Sequence, residues 1–93
     1  MSGAARVRLP PVLRTVMGGR SELEAQGATI EDVLRTLAKS YPGLGLHLFD
    51  ESGRARRNIV CLHRGELVRA AEFGARQVGA GDEIALTNAL AGG

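Results

Sequence analysis

Ala5, Val7 and Leu9 alternate with Arg6 and Arg8 near the start of the chain, a period of two that predicts a half-buried strand. Pro10-Pro11 stops it, because proline has no amide hydrogen to give to a ladder. Residues 10–20, with Gly18-Gly19 among them, read as a loop. Leu23 and Ala25 then alternate with Glu22 and Glu24, which predicts a second strand antiparallel to the first. The period changes after Thr29: Ile30, Val33, Leu34, Leu37, Ala38 and Tyr41 fall at i, i+3, i+4, i+7, i+8 and i+11, one apolar stripe of a three-turn helix. Thr29 is placed as its N-cap and Asp32 at its third position, where a carboxylate favours the positive helix end. Pro42-Gly43 ends the stripe. Leu44, Leu48 and Phe49 predict a short helical turn or a packed loop, and residues 50–54 a turn. Residues 58–63 form an apolar run that reads as a strand whose inward face the periodicity does not fix. Arg64-Gly65-Glu66 turns the chain, Leu67-Val68 begins a short return strand, and Gly79-Ala80-Gly81-Asp82 is a tight turn. Ile84 and Leu86, alternating with Glu83, Ala85 and Thr87, make the last strand.

This order, strand, strand, helix, strand, short strand, strand, predicts an α+β fold in two layers. It suits the β-grasp arrangement, a mixed sheet whose terminal strands lie side by side with one main helix across it. The domain is expected over residues 1–87. Residues 88–93, with neither alternation nor a turn signal, form a C-terminal tail that ends in Gly92-Gly93.

Composition narrows the function classes. A chain of 93 residues supports one core and one domain. With Cys61 as the single cysteine, no intramolecular disulfide and no cysteine-based metal site can form, and a reducing, cytoplasmic setting is expected. Met1 to Pro10 carry no apolar run of signal-peptide length, and no stretch has the length of a membrane span. The net charge is +2, from 11 arginines and Lys39 against 10 acids, scattered along the chain. Tyr41, Phe49 and Phe73 are the only aromatic residues, too few for a base-stacking platform, so nucleic acid is not an expected partner. Cys61 in its apolar strand reads as a small core residue. His47 and His63 lie in separate segments without a serine and acid constellation, and no metal site is expected. Asp82 and Glu83 are adjacent strand positions pointing to opposite faces, so they do not form a catalytic carboxylate pair. Lys39-Ser40 lacks the glycines of a phosphate-binding loop, so nucleotide chemistry is not expected from this chain itself.

Gly81-Asp82-Glu83-Ile84, a short strand, and Ala89-Leu90-Ala91-Gly92-Gly93 together resemble the ending of the ubiquitin-like sulfur carriers of the ThiS/MoaD type. The resemblance runs along nearly the whole chain. Leu9-Pro10, Leu13-Arg14, Gly18-Gly19, Thr29, Tyr41-Pro42-Gly43-Leu44 and Gly65-Glu66-Leu67-Val68 are similar to the subgroup of carriers that supply sulfide for cysteine synthesis. Two positions depart from the pattern: Asn88 stands where the family usually has proline before the tail, and Arg64 where it usually has asparagine in the hairpin.

The resemblance implies that Gly93 is the reacting residue. An E1-like adenylating enzyme of the ThiF/MoeB type would use ATP and magnesium to activate its carboxylate, and a sulfur donor would convert it to a thiocarboxylate. The chain would bind no cofactor of its own. Asn88, Ala89, Leu90, Ala91 and Gly92 would thread a partner's channel: six residues at ~3.3–3.6 Å each reach about 20 Å, and glycines beside the acyl carbon leave it open to attack. The acceptor implied is a biosynthetic enzyme, cysteine synthase-like or of a thiosugar or thiazole route, with a metalloprotease to release product in the cysteine case. Ala85 and Thr87, opposite Ile84 and Leu86 and next to the tail, are expected to dock partners. Alternatives are the small subunit of molybdopterin synthase and, in another class, a ubiquitin-like modifier joined to lysines through Gly93.

Overall fold

The structure, a computed structural model, describes residues 4–88. Among these residues five strands form one mixed sheet, β1 (Ala5–Arg8), β2 (Glu22–Ala25), β3 (Ile59–His63), β4 (Glu66–Arg69) and β5 (Glu83–Asn88), in the order β2-β1-β5-β3-β4. β1 and β5 are parallel, with Val7 opposite Ile84, and the other neighbours are antiparallel. The terminal strands therefore lie side by side, as the β-grasp expectation requires, and β5 is the middle strand. Alternation drives Ala5, Val7, Leu23, Ala25, Ile84 and Leu86 onto the face under the helices, where all are buried. In β3 the structure fixes what the periodicity leaves open: Ile59, Cys61 and His63 face the core and Leu62 faces outward.

The main helix, α2 (Ile30–Ser40), buries Ile30, Val33, Leu34 and Leu37 of the predicted stripe against the sheet, with Ala38 and Tyr41 half-buried at its edge. Its start is set by Thr29, whose Oγ1 accepts the backbone N–H of Asp32 at 3.1 Å, satisfying one donor that the first helical turn leaves free. Thr29→Ala is expected to lower the unfolding free energy by about 1 kcal/mol, read as a melting temperature reduced by about 5 °C in a domain of this size.

Two segments differ from the sequence reading. Residues 10–20 contain a helix, α1 (Pro11–Val16), where a loop is expected, and Pro42 to Leu48 form a full helix, α3 (Pro42–Leu48), rather than a turn or packed loop. In both, a proline that stops the preceding element also takes an early position of the next helix, where its missing N–H would have no partner anyway. α1 drops Leu13 into the core, and α3 adds Leu44 and Leu48. Gly45 permits α3 to cross α2 closely, since a Cβ there would lie 2.9 Å from that of Ala38.

β5 includes Asn88, which pairs with Ile59, so the ladder runs one residue past the expected domain boundary. Residues 89–93 lie outside the described residues. The β3-β4 turn places Arg64 at φ 55° and Gly65 at φ 79°, the pair of positive angles a two-residue hairpin needs. Arginine is a poor occupant of that region. It is held there by Nη2, 3.1 Å from Asp82 Oδ2, which gives the departure at this position a local partner.

Candidate functional site: the open sheet face at the root of the tail

With the helices on one face, the other face of the sheet is open. Ala85 and Thr87 lie on it, as the alternation predicts. Register adds their neighbours: Ala85 stands between Arg8 of β1 and Leu62 of β3, Leu62 faces Leu67 of β4, and Thr87 faces Val60. Side chains directly opposite across a sheet touch. Val60, Leu62, Leu67, Ala85 and Thr87 therefore make one apolar patch, in which Leu62 is 47% and Leu67 53% exposed. The patch continues to the end of β5, where the chain leaves the sheet. Contiguous apolar surface with a charged border is the usual mark of an interaction site.

The border is charged. Arg8 Nη1 lies 3.3 Å and Arg6 Nη2 3.7 Å from the carboxylate of Glu83, and the same arginines stand opposite Glu22 and Glu24 of β2. Arg69 stands opposite Val60 on the far side. These exposed pairs add little stability. They determine which charges a partner meets around the apolar centre. The alternation of β5 exposes Ala85 and Thr87 to sequence reasoning, but Leu62 and Leu67 become legible only once the inward face of β3 is known.

A second group was not read from the sequence at all. His63 is fully buried, and its Nδ1 accepts a hydrogen bond from Arg76 Nε at 2.9 Å. Arginine can only donate, so the ring proton sits on Nε2 and is donated to Asp82 Oδ2 at 2.8 Å. Arg76 also donates to Glu66 Oε1 at 2.6 Å and to the His63 carbonyl at 3.2 Å. Asp82 accepts the Gly79 N–H at 2.8 Å. The network pins the β3-β4 hairpin to the turn that feeds β5, and so fixes the register of the strand carrying the patch. Among the described residues it ends on Glu66, on the Arg64 guanidinium and on backbone groups, with no hydroxyl or thiol attached, so it does not form a nucleophile-activating triad there. His63→Leu keeps the volume but strips two charged partners of their bonds, and is expected to cost about 2 kcal/mol in chemical denaturation.

The Gly79 N–H holds the Asp82 carboxyl below its ordinary value of 3.8, helped by the hydrogen bond from His63 and the charge of Arg64 and opposed by desolvation. A carboxyl lowered in the folded state contributes stability that is present above 3.8 and is lost as pH falls through the folded value. Between pH 5 and pH 2, Asp82→Asn is therefore expected to lose less stability than the parent chain, as measured by urea unfolding.

The remaining candidates fall outside any site. Burial pushes the Cys61 thiol up to about 12, so it stays protonated and unreactive. His47 is exposed on α3, away from His63. No helix among the described residues is long and apolar enough to cross a membrane. Gly93, Gly92, Ala91, Leu90 and Ala89 lie outside the described residues, while Asn88 closes β5 at the edge of the patch.

A sheet with its first and last strands paired at the centre, one main helix across it and an apolar outer patch on the strand that runs into the tail defines the class: a ubiquitin-like β-grasp domain. Residues 7–93 match the ThiS family, and the chain belongs to it. Over 89 residues the chain is 32% identical to the sulfur carrier protein CysO of Mycobacterium tuberculosis, which covers 94% of this chain and 96% of that protein. Its structure resembles that of SAMP1 from Haloferax volcanii, with a TM-score of 0.80, 30% identity, and 98% and 100% of the two chains covered. It also resembles a chain in the BexX/CysO complex of Amycolatopsis orientalis, with a TM-score of 0.74, 27% identity, and 97% and 100% covered.

Proposed function

We propose that this chain is a sulfur carrier protein that acts through the carboxylate of Gly93, as a protein cosubstrate rather than a catalyst. The observation that carries this reading is the family match, which extends through the diglycine to residue 93, together with the full-length likeness to a sulfur carrier. The chemistry follows from the weakness of a carboxylate as an electrophile. An oxygen of Gly93 attacks the α-phosphorus of ATP in an E1-like enzyme of the ThiF/MoeB type, and pyrophosphate leaves. The sulfur of a sulfide donor then attacks the acyl carbon and AMP leaves with its electron pair, giving the thiocarboxylate directly; a persulfide donor gives an acyl disulfide instead, which a second thiol cleaves by forming a disulfide with the donor's sulfur and releasing the thiocarboxylate. On this reading magnesium and ATP belong to the partner, since Lys39-Ser40 lacks the glycines of a phosphate-binding loop.

The open face around Ala85, Thr87, Leu62 and Leu67 seats the body of the domain on that enzyme while the tail from Asn88 enters its channel. The acceptor is a biosynthetic enzyme, cysteine synthase-like or of a thiosugar or thiazole route, with a metalloprotease releasing the product in the first case. The setting is cytoplasmic, where thiocarboxylates survive. Incubation with the host's E1-like enzyme, ATP, magnesium and sulfide tests the reading by intact mass spectrometry. The expected gain equals exchange of one oxygen for sulfur. An unchanged mass, with an enzyme active on another carrier, would sink it.

A second reading is favoured by the likeness to SAMP1, a small archaeal modifier protein. Both roles begin with adenylation of the C-terminus. Conjugates of higher mass on a blot, absent when Gly93 is removed, would move the modifier ahead of the carrier.

A further inference from the structure

The large apolar side chains exposed among the described residues fall into two groups. Leu62 and Leu67 belong to the open face. Val12 and Val16 of α1 and Leu46 of α3, which are 54%, 39% and 72% exposed, lie on the helix side instead. Val12 and Val16, four residues apart, share one face of α1. A Cβ on Gly43 would lie 3.9 Å from Val16 Cγ1, so the end of α1 meets the start of α3. Around this ridge run three clefts of about 380, 390 and 410 Å³. Leu46 walls the first two and Pro42 the first and third, which makes them one continuous surface.

The charge on this surface is mostly positive. Arg35 and Lys39 line the first cleft, Arg56 with His47 the second, and Arg20 the third. Asp50 is the acid among the lining residues, and its Oδ1 already accepts the Ser52 N–H, the Ser52 hydroxyl and the Arg54 N–H. Ion pairs tie down Arg6, Arg8, Arg35, Arg64 and Arg76. Among the described residues, none reaches Arg20, Lys39 or Arg56. Arg20 lies over the Tyr41 ring and donates to its hydroxyl at 3.0 Å, and Arg56 Nε donates to the Leu46 carbonyl at 2.9 Å. Both guanidinium groups are thus anchored beside the apolar ridge with no carboxylate paired to them. Such a surface is complementary to apolar side chains flanked by acids.

Its place in the fold links it to the end of β5. β1 runs parallel to β5 and hands over to α1 at that end, and Ile59, which lines the second cleft, pairs with Asn88. The surface therefore flanks the end of β5 on the helix side, as the open face flanks it on the other. An enzyme that closes around the end of β5 meets both.

We propose that this helix-side surface is a second docking surface for the adenylating enzyme and takes an acidic segment of it, with apolar side chains on Val12, Val16 and Leu46 and carboxylates on Lys39 and Arg56. The identity of the partner rests on the carrier reading. Rim cations of this kind act mainly on the rate of encounter and its salt dependence, while the apolar ridge holds the complex once formed.

Association and dissociation of the full chain with the host's E1-like enzyme, followed at low and high salt, test the proposal. Lys39→Glu combined with Arg56→Glu is expected to slow association about tenfold at low salt and to flatten its salt dependence. Arg56→Lys loses the same bond to the Leu46 carbonyl but keeps the charge, and should associate like the parent. Leu46→Asp, at an exposed position, is expected to raise Kd about tenfold. Thermal melting close to the parent shows that each variant is folded. Rates and affinities equal to the parent's in the double variant and in Leu46→Asp would overturn the proposal, as would a parent chain that does not bind the enzyme. Co-sedimentation of the parent with phosphatidylglycerol vesicles, lost in the double variant while enzyme binding is unchanged, would also overturn it by giving the surface to an anionic lipid. Binding is read apart from chemistry: a parent that binds with these sensitivities yet gains no sulfur would sustain the docking surface and sink the carrier reading.

Discussion

Deleting Gly93 is expected to abolish the oxygen-to-sulfur mass gain while leaving stability within about 0.5 kcal/mol of the parent, the range of changes outside packed structure. Every described strand pairing and core residue lies within residues 4–88, and the deletion alters none of those residues. The new terminus, Gly92, still bears a carboxylate and still lacks a Cβ. What changes is reach: the carboxylate falls about 3.4 Å short of where an enzyme seated on the sheet would meet it. A misplacement of even about 1 Å can cost a hundredfold in rate. Intact mass spectrometry and thermal melting on the same sample separate the two effects. If the shortened chain gained sulfur as the parent does, Gly93 would not be the reacting residue.

Ala85→Arg is expected to weaken binding to the adenylating enzyme by about 30-fold or more, the 2 kcal/mol typical of a residue central to an interface. Position 85 lies in the middle strand, between Arg8 and Leu62. A guanidinium there would cover the apolar patch and bring a third positive charge beside Arg6 and Arg8. Because the side chain points away from the helices, the core formed by Ile84 and Leu86 is untouched, and the variant should melt close to the parent. Leu62→Asp, on the neighbouring strand, should act in the same direction. A binding titration that returned parental affinity for both variants would remove the open face from the docking surface.

The parts of the fold that were legible in the sequence are those where one physical signal acts alone. β1, β2 and β5 show clean alternation because one face is buried and the other open, and α2 announces itself through a stripe and a threonine cap. The Gly79–Asp82 turn was legible for the same reason. α1 and α3 are not legible in this way, because Pro10-Pro11 and Pro42 signal a stop to the preceding element, while at the start of a helix the fixed φ of proline is an advantage. β3 was ambiguous because Val60 and Leu62 on the outer side are as apolar as Ile59 and Cys61 on the inner side. That ambiguity comes from the patch itself, since an apolar outer face erases the polar half of the alternation. The His63, Arg76 and Asp82 network was invisible because its members come from separate segments, and no periodicity links position 76 to 63. The alternation of β5 places Ala85 and Thr87 on the open face, whereas Leu62 and Leu67 join them only through the register of β3 and β4.

β5 is the last strand in the sequence and the middle strand of the sheet. On a ribosome, β1 and β2 can pair early and β3 and β4 can form their hairpin, but the two halves have no sheet to share until β5 has emerged and slotted between them. Long-range closure of this kind is the slow step of folding, and synthesis proceeds from the N-terminus. The consequence is a built-in order of events: the segment that completes the domain also carries Ala85, Thr87 and the diglycine. A nascent or misfolded chain therefore presents no assembled open face. On the function proposed above, activation would then fall to chains whose sheet has closed around β5.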